Sequence, residues 1–193
     1  MFIKDWKKEV FTIPNLLSLF RLALIPVYIS IYLKARVPGE FYIAGSILAV
    51  SCLTDIIDGK IARHCNMIST LGKILDPLAD KFTQFAVTLC LSLKYPAMRP
   101  VLILFVIKEL YQLTIGAVYL RHRKMLPGAL MAGKICTAVL FISLIVLVLK
   151  PRMPVQCVRI LSIVDVIFLI ISFVSYIFAY FGKHTKLQDL ETE

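Results

Sequence analysis

Six long apolar runs separated by short polar stretches set the pattern of this chain: about Ile13–Leu33, Phe41–Ala62, Leu71–Leu93, Pro100–Leu120, Leu130–Leu149 and Val155–Phe181. A helix that crosses a bilayer needs roughly 20 mostly apolar residues, and each run meets that length. The pattern predicts an all-α integral membrane protein of six transmembrane helices. Ahead of the first run, MFIKDWKKEVFTIPN mixes Phe2, Ile3, Trp6, Val10 and Phe11 with Lys4, Lys7 and Lys8. That mixture predicts an amphipathic juxtamembrane segment over residues 1–12, lying on an anionic membrane face, with a flexible basic tail as the alternative. The first run is too long for a removable signal peptide and has no small-residue cleavage site. With no repeat and no low-complexity stretch, the reading is one membrane domain over 1–193, ending in a polar tail over 183–193.

Composition agrees. A chain of 193 residues with 59% hydrophobic content and mean hydropathy +0.83 has too little charge to cover a soluble domain of that size. Cys52, Cys65, Cys90, Cys136 and Cys157 show no CxxC or metal-type pairing and read as small apolar packers.

Charge gives the chain a direction. Lys4, Lys7, Lys8, Lys60, Arg63, Arg121, Arg123, Lys124, Lys183 and Lys186 fall on one side of the predicted spans. Only Lys34, Arg36, Lys94, Arg99, Lys150 and Arg152 fall on the other. The excess places both termini in the cytoplasm. A net charge of +10 then suits anionic lipid headgroups, and no nucleic-acid recognition module is present.

The second and third runs are interrupted where TDIIDGKIARHCNMISTLGKILDPLADK, Thr54 to Lys81, packs four aspartates among cationic residues. Asp55 and Asp58 are three apart and Asp76 and Asp80 four apart, so each pair shares one face of its helix. Antiparallel packing of these helices would gather four carboxylates. An unpaired charge inside a bilayer costs about 2.5–3.5 kcal/mol on insertion scales, and clustered carboxylates also repel one another. A cation is therefore expected among them. Mg²⁺ or Mn²⁺ suits carboxylate oxygens and leaves positions for phosphate oxygens, and two such ions could hold a diphosphate. Arg63 and Lys81 add positive charge for phosphate, Gly59 and Gly72 remove side chains where a nucleotide would press on the backbone, and Pro77 is placed to kink the third helix. A four-carboxylate cluster could instead bind a cation for transport, so a carrier is the reading from another class.

Asp55-x-x-Asp58-Gly59-x-x-Ala62-Arg63, then eight residues, then Gly72-x-x-x-Asp76-x-x-x-Asp80 resembles the signature of the CDP-alcohol phosphatidyltransferase family at every defined position. The resemblance implies a six-helix membrane fold, a homodimer, and transfer of a phosphatidyl group from a CDP-linked donor to an alcohol with release of CMP. Carried over position by position, Asp55, Asp58, Asp76 and Asp80 would surround a metal pair. Asp80 would also act as general base, and Gly59, Ala62, Arg63 and Gly72 would contact the CDP part.

The first span, IPNLLSLFRLALIP, is similar to the opening of the bacterial phosphatidylglycerophosphate synthases and of related cardiolipin synthases. That implies CDP-diacylglycerol as donor, a bacterial cytoplasmic membrane, and glycerol 3-phosphate or phosphatidylglycerol as acceptor, the former favoured. Arg21, Lys108 and Lys134 are the candidate cations for an acceptor phosphate. Lys108 and Glu109 could equally neutralise each other, and Arg21 could reach out to the headgroups. The chain departs from the synthase pattern: Lys108-Glu109 stands for Arg-Glu, Gly116 for an arginine and Cys136 for a basic residue. Fewer cations weaken the case for a doubly charged acceptor. Asp165, alone in the sixth run, reads as a structural partner for a neighbouring helix.

Overall fold

The computed structural model describes residues 13–64, 72–121 and 131–189, without the side chains of residues 13, 14, 55–64, 73, 74, 117 and 119–121 or of those beyond Tyr180. Six α-helices follow in order: α1 (Ile13–Lys34), α2 (Pro38–His64), α3 (Gly72–Lys94), α4 (Arg99–Arg121), α5 (Met131–Leu149) and α6 (Val155–Asp189), with a 3-10 turn, Pro96–Met98, between α3 and α4. No strand occurs among the described residues. The helices match the six apolar runs to within a few residues, except that α6 runs on to Asp189 through most of the stretch expected to be a polar tail. The expected amphipathic segment over 1–12 lies outside the described residues.

Among the described residues three helices are long and apolar enough to cross a membrane: Asn15–Lys34 of α1, Met131–Leu149 of α5 and Val155–Tyr180 of α6. The chain is thus an integral membrane protein, all helical among the described residues. The other three helices carry the charges that interrupt the runs: Glu40, Asp55 and Asp58 in α2, Asp76, Asp80 and Lys81 in α3, and Lys108 and Glu109 in α4.

The described residues form two compact units. The first joins those up to Cys90 with Val148–Arg152, and the second joins Leu91–Leu147 with those from Met153 onward. In the first, α1 and α2 pack as an antiparallel hairpin. Its turn is fixed by the sequence Val37-Pro38-Gly39-Glu40. Proline takes the first helical position, where its missing N–H costs nothing, and the Glu40 carboxylate reaches back to accept from the amides of Arg36 (2.6 Å) and Val37 (3.3 Å). Tyr28 stacks on Tyr32 at 5.6 Å, and Tyr32 meets Phe41 edge-on at 5.3 Å. At Gly45 a Cβ would lie 2.9 Å from Leu149 Cδ2, so the close approach there depends on glycine.

In the second unit the Ser162 hydroxyl donates to the Ala97 carbonyl and ties α6 to the 3-10 turn. Tyr111 meets Phe173 (5.1 Å) and Tyr180 (6.3 Å) edge-on, and Tyr176 stacks on Tyr180 at 6.0 Å. Gly133 faces that cluster, where a Cβ would lie 2.9 Å from Tyr176 Cε2. Asp165 is wholly buried. Among the described residues neither of its carboxylate oxygens makes a hydrogen bond of standard geometry.

Candidate active site

The polar residues in the first half of α1 are on its inside. Asn15, Ser18 and Arg21, with Tyr28 and Tyr32, form one buried stripe, whereas Leu16, Leu19 and Phe20 are close to half exposed. Spacings of three, seven and four residues keep that stripe on a single helix face. Such inversion suits a lipid surround, where apolar side chains meet hydrocarbon and polar ones must find partners within the protein.

The partner is on α3. The Ser18 hydroxyl donates to Asp76 Oδ1, Arg21 Nη2 lies 3.7 Å from the same oxygen, and that nitrogen donates to Ser18 Oγ at 3.4 Å. Arg21 is 3% exposed and Asp76 38%, so a buried cation holds a carboxylate whose outer side stays open. Asp80 lies one turn further along α3 and is partly exposed, on the same face as Asp76. Lys81 beside it is partly exposed too, and Gly72, the first residue of α3, is buried. Below Arg21 a cavity of about 10 Å³ opens between α1, α2 and α3, lined by Tyr28, Leu48, Ser51 and Thr83 among others. It has room for about one water molecule.

Asp55 and Asp58 lie on the C-terminal half of α2, one turn apart, as do Gly59, Ala62 and Arg63. Their side chains lie outside the described residues, so the structure brings together two of the four expected carboxylates. Among the described residues no group of three or more His, Cys, Asp or Glu is placed to hold a metal ion.

Two of the three candidate acceptor cations are engaged by carboxylates. Arg21 is on Asp76, and Lys108, 4% exposed, pairs with Glu109 at 2.8 Å. Lys134 is exposed on the second turn of the α5 stretch that begins at Met131. Lys108 and Lys134 belong to the second unit. Sequence reasoning missed Ser18 and Asn15. Their signal was present: polar residues at Asn15, Ser18 and Arg21 recur every three positions inside an otherwise apolar span.

Comparison with known proteins decides the family. The model of the CDP-alcohol phosphatidyltransferases matches residues 11–180, most of the chain. The chain belongs to the CDP-alcohol phosphatidyltransferase family. It is an enzyme family, which sets aside the cation-carrier alternative. The chain is 37% identical over 134 residues to the CDP-diacylglycerol–glycerol-3-phosphate 3-phosphatidyltransferase of Aquifex aeolicus, an overlap of 68% of this chain and 71% of the relative. It is 32% identical over 133 residues to the CMP-forming cardiolipin synthase of Streptomyces coelicolor, covering 67% of this chain and 61% of that one. A further match is the human CMP-forming cardiolipin synthase, 40% identical over 114 residues, 58% of this chain but 36% of the relative. Both branches of the sequence resemblance are thus represented among the relatives.

Proposed function

We propose that this chain transfers a phosphatidyl group from CDP-diacylglycerol to glycerol 3-phosphate at the cytoplasmic face of a bacterial membrane, with all six helices spanning it, both termini in the cytoplasm, and two copies forming a homodimer. The observation that carries the reading is the Asp76–Asp80 face of α3, anchored from α1 by Ser18 and Arg21 within the region matched to the family.

Carboxylate oxygens are the hard donors that Mg²⁺ and Mn²⁺ take, and the open sides of Asp76 and Asp80 fit such an ion. Asp55, Asp58, Asp76 and Asp80 would hold two ions, which would neutralise the diphosphate and its leaving group. Gly59, Ala62, Arg63 and Gly72 would bind the CDP part. Ser18 and Arg21 orient Asp76, and a fixed carboxylate loses less entropy when it takes up its working geometry. Asp80 accepts the proton of the acceptor hydroxyl. The hydroxyl oxygen forms a bond to the β-phosphorus that bears the diacylglycerol, the bond from that phosphorus to the CMP oxygen breaks, and CMP departs with the electron pair.

Phosphatidylglycerol is the second acceptor to weigh, giving cardiolipin. The Lys108–Glu109 pair favours it, because a lysine already neutralised by its neighbour has less charge to offer a phosphate dianion. Purified protein given CDP-diacylglycerol and Mg²⁺ or Mn²⁺ tests the reading through CMP release. Release driven by glycerol 3-phosphate and absent from Asp80→Asn supports the proposal. Release driven by phosphatidylglycerol alone moves the chain to the cardiolipin synthases, and release with neither overturns both.

A further inference from the structure

Where α6 begins, an open groove of about 550 Å³ runs between that helix and the 3-10 turn with the start of α4. Its walls are apolar, from Pro96, Pro100, Val155, Ile163 and Ile167 among others, and its one charged lining residue is Arg159. Arg159 is exposed, sits in the second turn of a span long enough to cross the membrane, and has no hydrogen bond or ion pair among the described residues. The Ser162 hydroxyl at the groove is already committed to the Ala97 carbonyl. Asp165, on the same helix, is wholly buried and does not line it.

A guanidinium one to two turns inside a membrane span needs a counter-charge at that depth or must reach out to water. Its planar fork matches phosphate oxygens two at a time. We infer that this groove binds a phospholipid of net negative charge, its phosphate on Arg159 and the upper part of an acyl chain against the apolar wall. Charge complementarity selects among membrane lipids. No acidic residue lines the groove to receive the amine of a zwitterionic headgroup, so a headgroup with net negative charge gains most.

The chain has one tryptophan, Trp6. A Trp6→Phe, Ile167→Trp protein therefore reports on the groove alone through quenching by brominated lipids in vesicles. Phosphatidic acid is the anionic probe, since it is neither donor nor acceptor in the proposed reaction, and phosphatidylcholine is the neutral one. The expected result is roughly a fivefold preference for brominated phosphatidic acid, about 1 kcal/mol. Arg159→Gln abolishes the preference, Arg159→Lys retains most of it, and added salt shrinks it in the reporter that keeps Arg159. Equal quenching by the two lipids overturns the inference while leaving α6 in the bilayer. Quenching by neither overturns it differently, because the groove is then covered by protein, such as a second copy. Unchanged thermal unfolding of the Arg159 variants separates loss of the site from loss of the fold.

Discussion

Arg21 of α1 and Asp76 of α3 meet through Ser18, whose hydroxyl donates to the carboxylate oxygen that lies 3.7 Å from the Arg21 guanidinium. One partner is nearly fully buried and the other is more than a third exposed. The pair therefore joins the interior of the first unit to the face proposed to carry the chemistry. Ser18→Ala removes both the hydrogen bond donated to Asp76 and the one accepted from Arg21, leaving Asp76 held by the Arg21 ion pair alone and less fixed in direction. An outer partner of a metal-binding carboxylate is worth 10–100-fold in metal affinity or activity, so the variant should need roughly tenfold more Mg²⁺ for half-maximal CMP release. An unchanged Mg²⁺ dependence would show that Ser18 does not position Asp76.

Arg21→Gln removes the buried cation. Breaking a fully buried pair costs about 3–5 kcal/mol, and the exposure of Asp76 reduces this to about 1–3 kcal/mol, because water screens the carboxylate left behind. Thermal unfolding in detergent should show the loss, together with a fall in kcat larger than any rise in KM for the acceptor. A rise confined to KM for glycerol 3-phosphate would return Arg21 to the acceptor-binding role.

Asp80→Asn keeps size and shape and removes the proposed base. General base catalysis supplies roughly 10²–10⁴-fold, so CMP release should fall by at least about 10²-fold with the unfolding temperature unchanged. Activity within tenfold of the unaltered protein would exclude Asp80 as the base.

Gly133→Ala tests the second unit. Alanine gains about 1 kcal/mol of helix propensity over glycine, but its Cβ would fall 2.9 Å from Tyr176 Cε2. Overpacking typically costs about 1–3 kcal/mol, so the clash should win and the unfolding temperature should drop. Tyr176→Leu in the same chain should recover part of the loss. A rise in stability on Gly133→Ala alone would mean that the ring moves aside at little cost.

Glu40 carries the acid sensitivity of the α1–α2 turn. The Arg36 and Val37 amides hold its carboxylate below the usual range. A folded value below the unfolded one means that the cap contributes fully above the ordinary carboxylate range and is lost as pH falls through the lowered value. The amide signals of Arg36 and Val37 should titrate together at that lowered pH, and Glu40→Gln should remove the transition.

Much of this molecule is determined by the order of its residues alone. The lengths of the apolar runs set six helices, because a stretch of about 20 apolar residues has few other ways to satisfy its backbone in lipid. The spacing of Asp55, Asp58, Asp76 and Asp80 places each pair on one face, since helical periodicity is local. Val37-Pro38-Gly39-Glu40 likewise marks a helix start that needs nothing from outside itself. The continuation of α6 past Phe181 was not legible, because hydropathy registers where the membrane ends and a polar helix carries no such mark. Nor was the partner of Arg21, which could have faced headgroups, acceptor or carboxylate. In a lipid-embedded chain the polar stripe of a helix shows which face turns inward but not which neighbouring helix it meets. Only the packing of α1 against α3 brought Ser18 and Arg21 onto Asp76, because that contact joins residues far apart in the chain and depends on how the helices are rotated about their axes.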